Sequence, residues 1–282
     1  MCTRCKYYLT QIFRKQADRQ ISDNCQASWA THLSAAKTLL ELQRGGSKLP
    51  QSDVVDFVSK FFVLKDSMGR SACGNGPKFE LSPLTLSDEV DPSAGCSYEL
   101  IKIIADITDL SRTKSKLSRG DSSMEEWHEK RSALRHQLND LVQRLPPSLD
   151  VESSDVLTQS ASLIHLAART YYSTSLMSQT DRVEGLVHQG ILKLSKLRLR
   201  SQHLWPTFVI ALFVVEDADR IVILDAFEKI QVESPILSAG SAARARHIVD
   251  LVWKRIDLST NISYERVWDG IVRQMSEGLS LG

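Results

Sequence analysis

Cysteine is scarce in this sequence, and its five copies are spread without regular spacing over positions 2, 5, 25, 73 and 96. An odd number of scattered cysteines argues against a disulfide framework and is typical of a reducing intracellular compartment. Cys2 and Cys5 form a single C-x-x-C pair, whereas a structural zinc site needs four ligands. We therefore predict that the protein holds no metal and needs no cofactor.

The sequence also lacks a basic surplus. Lys and Arg number 35 and Asp and Glu 34, so the formal net charge is +1. A protein that neutralises many phosphates carries a basic excess or a basic patch. The densest basic run, KLSKLRLR at 193–200, is short. We predict no direct contact with nucleic acid.

Long apolar runs are missing as well. The longest, FVIALFVV at 208–215, falls far short of the roughly 20 residues that span a bilayer. The N-terminal stretch MCTRCKYYLTQIFRKQ has no apolar centre of the kind found in secretory signals, and a mitochondrial address is the alternative for its basic, amphipathic pattern. These features predict no membrane partner and a nuclear or cytoplasmic location.

Apolar residues recur at helical spacing along nearly the whole chain. We predict an all-α fold, an irregular bundle of about nine helices, with an N-terminal segment at 1–23 and one helical domain at 24–282. The predicted helices lie at about 24–43, from Ser52-Asp53 onward, around Leu100–Leu110, from Ser123 to Pro146, and at roughly 154–178, 181–198, 204–231, 238–257 and 262–279.

One stretch interrupts the pattern. GRSACGNGPKFELSPLTLSDEVDPSAG, at 69–95, is rich in glycine and proline and has no sustained period. The sequence predicts a single long loop here, and a loop of that length is usually mobile or functional, for example as a lid over a pocket.

Several polar side chains are candidates for a ligand pocket. His165 and Tyr172 share one helical stripe, which would place an imidazole and a phenol at the edge of an apolar pocket; the alternative is core packing with hydrogen-bonded tips. His32 shares one predicted helical face with Trp29 and could bind a ligand or metal; the alternative is a hydrogen-bonded, partly buried histidine. Glu216 opens the acidic stretch EDADR, which could hold an acid–base pair or form a salt-bridged surface, with Arg220 one turn away.

Five segments, in order, resemble the regulatory domain of fungal-specific transcription factors. They are WATHLSAAKTLLEL at 29–42, FVSKFFVLKDSMG at 57–69, AGCSYELIKIIADITDLS at 94–111, HLWPTFVIALFVVEDADR at 203–220 and VWKRIDLSTNISYERVWDGIVRQM at 252–275. The resemblance adds Asp66 and Trp205 to the candidate pocket residues, and it implies that Trp253 and Trp268 help to close the bundle. The six-cysteine zinc cluster that precedes this domain in such factors has no counterpart here, so the sequence represents either a fragment of a regulator or a stand-alone protein.

The resemblance implies a regulatory domain that responds to a small-molecule effector or to a protein partner, a second copy included. The alternative is an enzyme or carrier for a hydrophobic secondary metabolite on the same scaffold, with His32, Asp66, His165 and Tyr172 as acid–base groups. A third interpretation is an interaction partner that pairs with full-length regulators.

Overall fold

The computed structural model describes residues 53–73, 86–114, 122–177, 183–233, 239–258 and Leu281. This part of the chain contains eight α-helices and one two-stranded ribbon, which confirms the all-α class. The helices are α1 (Asp53–Cys73), α2 (Tyr98–Lys114), α3 (Ser122–Asp140), α4 (Val151–Leu176), α5 (Glu184–Lys196), α6 (Leu204–Ala211), α7 (Asp217–Glu233) and α8 (Ala239–Asp257). The strands are β1 (Val90–Asp91) and β2 (Cys96–Ser97).

Helix α2 forms where the apolar spacing predicts it. Its stripe is buried, and the helix packs between α1, α3 and α4. The stripe consists of Leu100, Ile103, Ile104, Ile107 and Leu110. Apolar side chains at intervals of three and four fall on one helical face, so their burial fixes the orientation of the helix.

The long loop predicted at 69–95 is wrong at both of its ends. Helix α1 continues through Gly69 to Cys73, because Met68 and Ala72 extend its buried stripe by one more turn. At the other end, β1 and β2 pair antiparallel, and Gly95 has φ +73 in the turn between them. The positive φ is a conformation that glycine adopts without steric cost. The middle of the predicted loop, 74–85, lies outside the described residues.

The ribbon is fastened to the segment that follows α3. The backbone N–H of Arg144 donates to Asp88 O at 2.9 Å, and that of Val90 donates to Arg144 O at 2.8 Å. The side chain of Arg144 also forms two hydrogen bonds of 2.6 Å with the Asp88 carboxylate. These bonds explain why α3 ends at Asp140 and not at Pro146 as predicted: residues 141–146 are not helical, and the backbone of Arg144 pairs with Asp88 and Val90.

The centre of the core is α6, all of whose residues are buried. Helix α5 approaches it closely at Gly190, where a Cβ atom would lie 2.5 Å from Ile210 Cδ1. The helix predicted at 204–231 is in fact two helices, α6 and α7, separated by the non-helical residues 212–216. Helix α7 starts anew where Glu216 O accepts the backbone N–H groups of Asp219 and Arg220.

Within the described ranges, every helix is too short or too polar to span a lipid bilayer. The predicted helices at 24–43 and 262–279, with Trp29, His32 and Trp268, lie outside the described residues. The boundary predicted at 23/24 lies outside them as well.

Candidate functional site

A buried polar network lies where α1, α4 and α6 meet, and Ser71 is at its centre. The indole N–H of Trp205 donates to Ser71 Oγ at 2.7 Å, and this hydroxyl donates in turn to Met68 O at 2.7 Å. Trp205 is 1% exposed and Ser71 5%. The burial explains the pairing, since a polar group taken out of water costs free energy unless it is hydrogen-bonded.

Tyr171, on α4, extends this network to α2. Thr108 Oγ1 donates its one proton to Ile104 O at 2.9 Å, so in its 3.0 Å contact with Tyr171 the tyrosine hydroxyl is the donor. The same hydroxyl lies 3.4 Å from Ser71 O, and its ring meets Trp205 edge to face at 6.2 Å between centroids. Four helices therefore meet through hydroxyl groups and one indole.

Charged side chains flank the network at the carboxyl end of α1. Arg70 is paired with Asp66, 3.6 Å away on its own helix, and with Asp109 of α2. Arg112 Nη2 donates to Arg70 O at 2.8 Å. Because the last four carbonyls of a helix have no partner within it, Arg112 caps the end of α1 from α2.

His165 and Tyr172 lie two turns apart on α4, and both contact α3. His165 Nε2 lies 2.7 Å from Leu138 O, and the Tyr172 hydroxyl donates to Arg131 O at 2.9 Å. Burial lowers the pKa of His165, with a further lowering by Arg169, although the hydrogen bond to Leu138 raises it. Burial raises the pKa of Tyr172. Both polar tips therefore end on backbone carbonyl groups of α3.

The remaining candidates are separate from this pair. Asp66 and Trp205 belong to the network around Ser71, one through Arg70 and the other directly. Glu216 is exposed on the connection between α6 and α7. His32 lies outside the described residues. The described candidates therefore lie in three places: Asp66 and Trp205 at the network around Ser71, His165 and Tyr172 along the contact of α4 with α3, and Glu216 at the surface.

Ser160 and His203 form a buried pair that the sequence reasoning missed. His203 Nε2 lies 2.9 Å from Ser160 Oγ, and the backbone N–H of Arg200 donates to His203 Nδ1 at 2.9 Å. Burial, with a smaller effect of the Arg200 charge, lowers the pKa of His203 to about 4. The imidazole is therefore neutral with Nδ1 as the acceptor, so Nε2–H donates to Ser160.

This polarity is the opposite of the one that nucleophilic catalysis needs. A catalytic histidine accepts the proton of the serine hydroxyl. Here Ser160 Oγ accepts from His203 and also from Gln202 Nε2, at 3.3 Å. The only signal for the pair was weak, namely a histidine directly before the apolar run LWPTFVIA and a serine on the buried stripe of α4.

The described residues contain no cluster of three His, Cys, Asp or Glu side chains that could hold a metal ion. Cys96 is fully buried, and burial raises the pKa of its thiol far above the ordinary value. A neutral thiol is a poor nucleophile and a poor metal ligand.

The sequence comparison decides the family. The model of the fungal specific transcription factor domain matches residues 12–282. The chain belongs to this family. No curated protein and no solved structure matches the chain. Membership supports a regulatory role for this fungal transcription factor domain.

Two of the segments that resemble the family meet at one contact in the fungal domain. Trp253 Nε1, on α8, donates to Ala211 O at 2.9 Å, at the carboxyl end of α6. The Arg220 guanidinium lies 5.2 Å from the centre of the Trp253 ring and donates to both Asp257 oxygens at 2.9 and 2.7 Å. This contact joins α6, α7 and α8.

Proposed function

We propose that this fungal transcription factor domain responds to a small-molecule effector or to a protein partner, and that it does not itself contact DNA. The observation that carries the proposal is the buried network around Ser71. It ties α1, α2, α4 and α6 together through hydroxyl and indole groups in the middle of an apolar core.

Such a network couples the positions of the helices that share it. The Trp205 N–H finds Ser71 Oγ only when α1 is in one register. A buried donor that loses its acceptor costs about 1–3 kcal/mol. An effector or partner that displaces one of these helices therefore breaks hydrogen bonds that the other helices share with it. The free energy of the whole arrangement then changes, and a responsive domain requires coupling of this kind.

The alternative, an enzyme or carrier, has less support. In the buried Ser160–His203 pair the histidine is the hydrogen-bond donor and the serine the acceptor. The polar atoms of His165 and Tyr172 are bonded to backbone carbonyls. The formal net charge of +1 supports the absence of direct DNA contact. We expect the protein to act in the nucleus, with hydrophobic secondary metabolites as the first effectors to test.

A tethered reporter assay tests the proposal. The domain is fused to an unrelated DNA-binding module, and reporter output is measured with and without a panel of hydrophobic metabolites. We expect at least one metabolite to change the output, and Ser71→Ala to alter that response because it removes the hydroxyl between Trp205 and Met68. The matched control is Ser111→Ala on α2, whose hydroxyl donates only to Thr108 O within its own helix, at 2.8 Å.

The control and the variant must both keep their helical circular dichroism. Equal responses of the two variants would contradict the role assigned to the network. A second measurement addresses DNA: sequence-dependent, sub-micromolar binding of the isolated chain to duplex DNA at physiological salt would contradict the other half of the proposal.

A further inference from the structure

The basic run at 193–200 ends in an extended segment that exposes its arginines. Between α5 and α6 the backbone is extended, with φ −81 and ψ 143 at Leu197 and φ −140 and ψ 176 at Arg200. Side chains of an extended chain alternate between two sides. Leu197 and Leu199 are buried accordingly, while Arg198 and Arg200 are exposed. The segment thus presents its cations to solvent on a backbone fixed by two leucines.

Ser201 directly follows this segment and has a free hydroxyl. The residue is partly exposed, and its Oγ atom makes no hydrogen bond to any part of the chain that the structure describes. Ser195, a few residues earlier, differs in this respect, since its hydroxyl donates to Leu192 O at 3.0 Å. Lys196, Arg198 and Arg200 precede Ser201 by five, three and one positions.

We propose that Ser201 is a phosphorylation site for a serine kinase with an acidic substrate groove. Cations at alternate positions before a free hydroxyl are complementary to such a groove, and charge complementarity is a main source of specificity in recognition. In the reaction Ser201 Oγ attacks the γ-phosphorus of a nucleoside triphosphate. The nucleoside diphosphate leaves, and the hydroxyl proton passes to the catalytic base of the kinase.

The surroundings of Ser201 accommodate the product. Ser201 opens the short 3₁₀ turn that precedes α6, and Arg198 and Arg200 are exposed just before it. Arginine pairs well with phosphate. Arg198 now lies 3.6 Å from Glu233, at the end of α7. Phosphate on Ser201 would compete for Arg198 and would weaken this link between α7 and the segment before α6.

The test is a labelling reaction on the folded, full chain. The kinase is a purified arginine-directed serine kinase, chosen because it labels a peptide of residues 193–203, and incorporated phosphate is located by mass spectrometry. We expect Ser201→Ala to abolish the label and Arg198→Gln with Arg200→Gln to slow labelling about tenfold or more, as loss of two charge-assisted contacts implies. Ser195→Ala is the matched control and should be labelled like the parent.

Three results would overturn the proposal: a peptide that no arginine-directed kinase labels, a label that survives Ser201→Ala, or a label that appears only after the chain is unfolded in urea. Thermal melting of the phosphorylated chain tests the docking of the phosphate. The melting temperature should stay level or rise, and a fall of several degrees would contradict the predicted contacts with Arg198 and Arg200. The labelling reaction needs no effector, so a negative labelling result would not contradict the regulatory role that the reporter assay tests.

Discussion

Acid should destabilise this domain through His203, and the size of the effect follows from its surroundings. Burial lowers the pKa of His203 from 6.5 to about 4. Between these two pH values the unfolded chain binds a proton that the folded chain does not, so the free energy of unfolding falls as the pH falls. The difference between the two pKa values corresponds to a loss of about 3 kcal/mol in the free energy of unfolding. The loss should begin near pH 7 and level off below pH 4.

The cause is visible in the hydrogen bonds of the ring. His203 Nδ1 accepts from the backbone N–H of Arg200, and Nε2–H donates to Ser160 Oγ. Protonation adds a hydrogen to Nδ1, which would then face the amide hydrogen of Arg200. The fold therefore excludes the imidazolium, both by desolvation and by the loss of an acceptor.

Urea denaturation between pH 4 and 7.5 measures this effect. His203→Asn keeps an acceptor for Arg200 but cannot be protonated, so the variant should lose less stability on acidification than the parent. His136→Gln, at an exposed position on α3, is the matched control for replacing a histidine by an amide side chain. If the free energies of unfolding of the parent and His203→Asn differ by the same amount at every pH, the reasoning is refuted. An NMR titration midpoint of His203 near pH 6.5 in the folded chain would refute it as well.

Two further predictions concern packing. Trp253→Ala should lower the free energy of unfolding by roughly 3–5 kcal/mol. Trp253→Phe, which removes the N–H bonded to Ala211 O and part of the indole volume but keeps an aromatic ring, should lower it by less. A Trp253→Ala protein that melts like the parent would show that the tryptophan does not close the fold. Gly190→Ala should lower the free energy of unfolding by about 1–3 kcal/mol through overpacking against Ile210. Gly185→Ala is the control and should not destabilise the protein, since nothing lies within 4 Å of its Cβ position. Equal melting temperatures for the two variants would contradict the close packing of α5.

Local patterns predicted those parts of the fold that depend on local apolar spacing. Helix α2 is the clearest case, since Ile103, Ile104 and Ile107 lie on one stripe and all are buried. The helix predicted at 204–231 is wrong because the chain leaves the helix at residues 212–216, and the end of α6 is bonded to a distant residue. The run FVIALFVV reads as continuous, but the carbonyl at Ala211 receives a hydrogen bond from Trp253, which is 42 positions away in the sequence. Spacing within a window cannot contain that information.

The same limit applies to the candidate site. Asp66 and Trp205 entered through the family resemblance, and the structure links both to the polar network at the end of α1. Ser71, on which the network depends, was placed in a predicted loop because Gly69 precedes it. Its partner Trp205 is 134 positions away. Glycine weakens a helix only modestly, and tertiary packing outweighed it here.

A polar network inside an apolar core needs a physical reason, since apolar residues of the same shape are often as stable. Apolar contacts tolerate sliding of one helix along another, but hydrogen bonds do not. With Ser71 one turn out of place, the Trp205 N–H would be buried without its acceptor. The network therefore selects one register of α1 against α4 and α6, and it gives the alternative registers a distinct, higher energy. A domain with such discrete arrangements can be shifted between them by an effector that binds one better than the other.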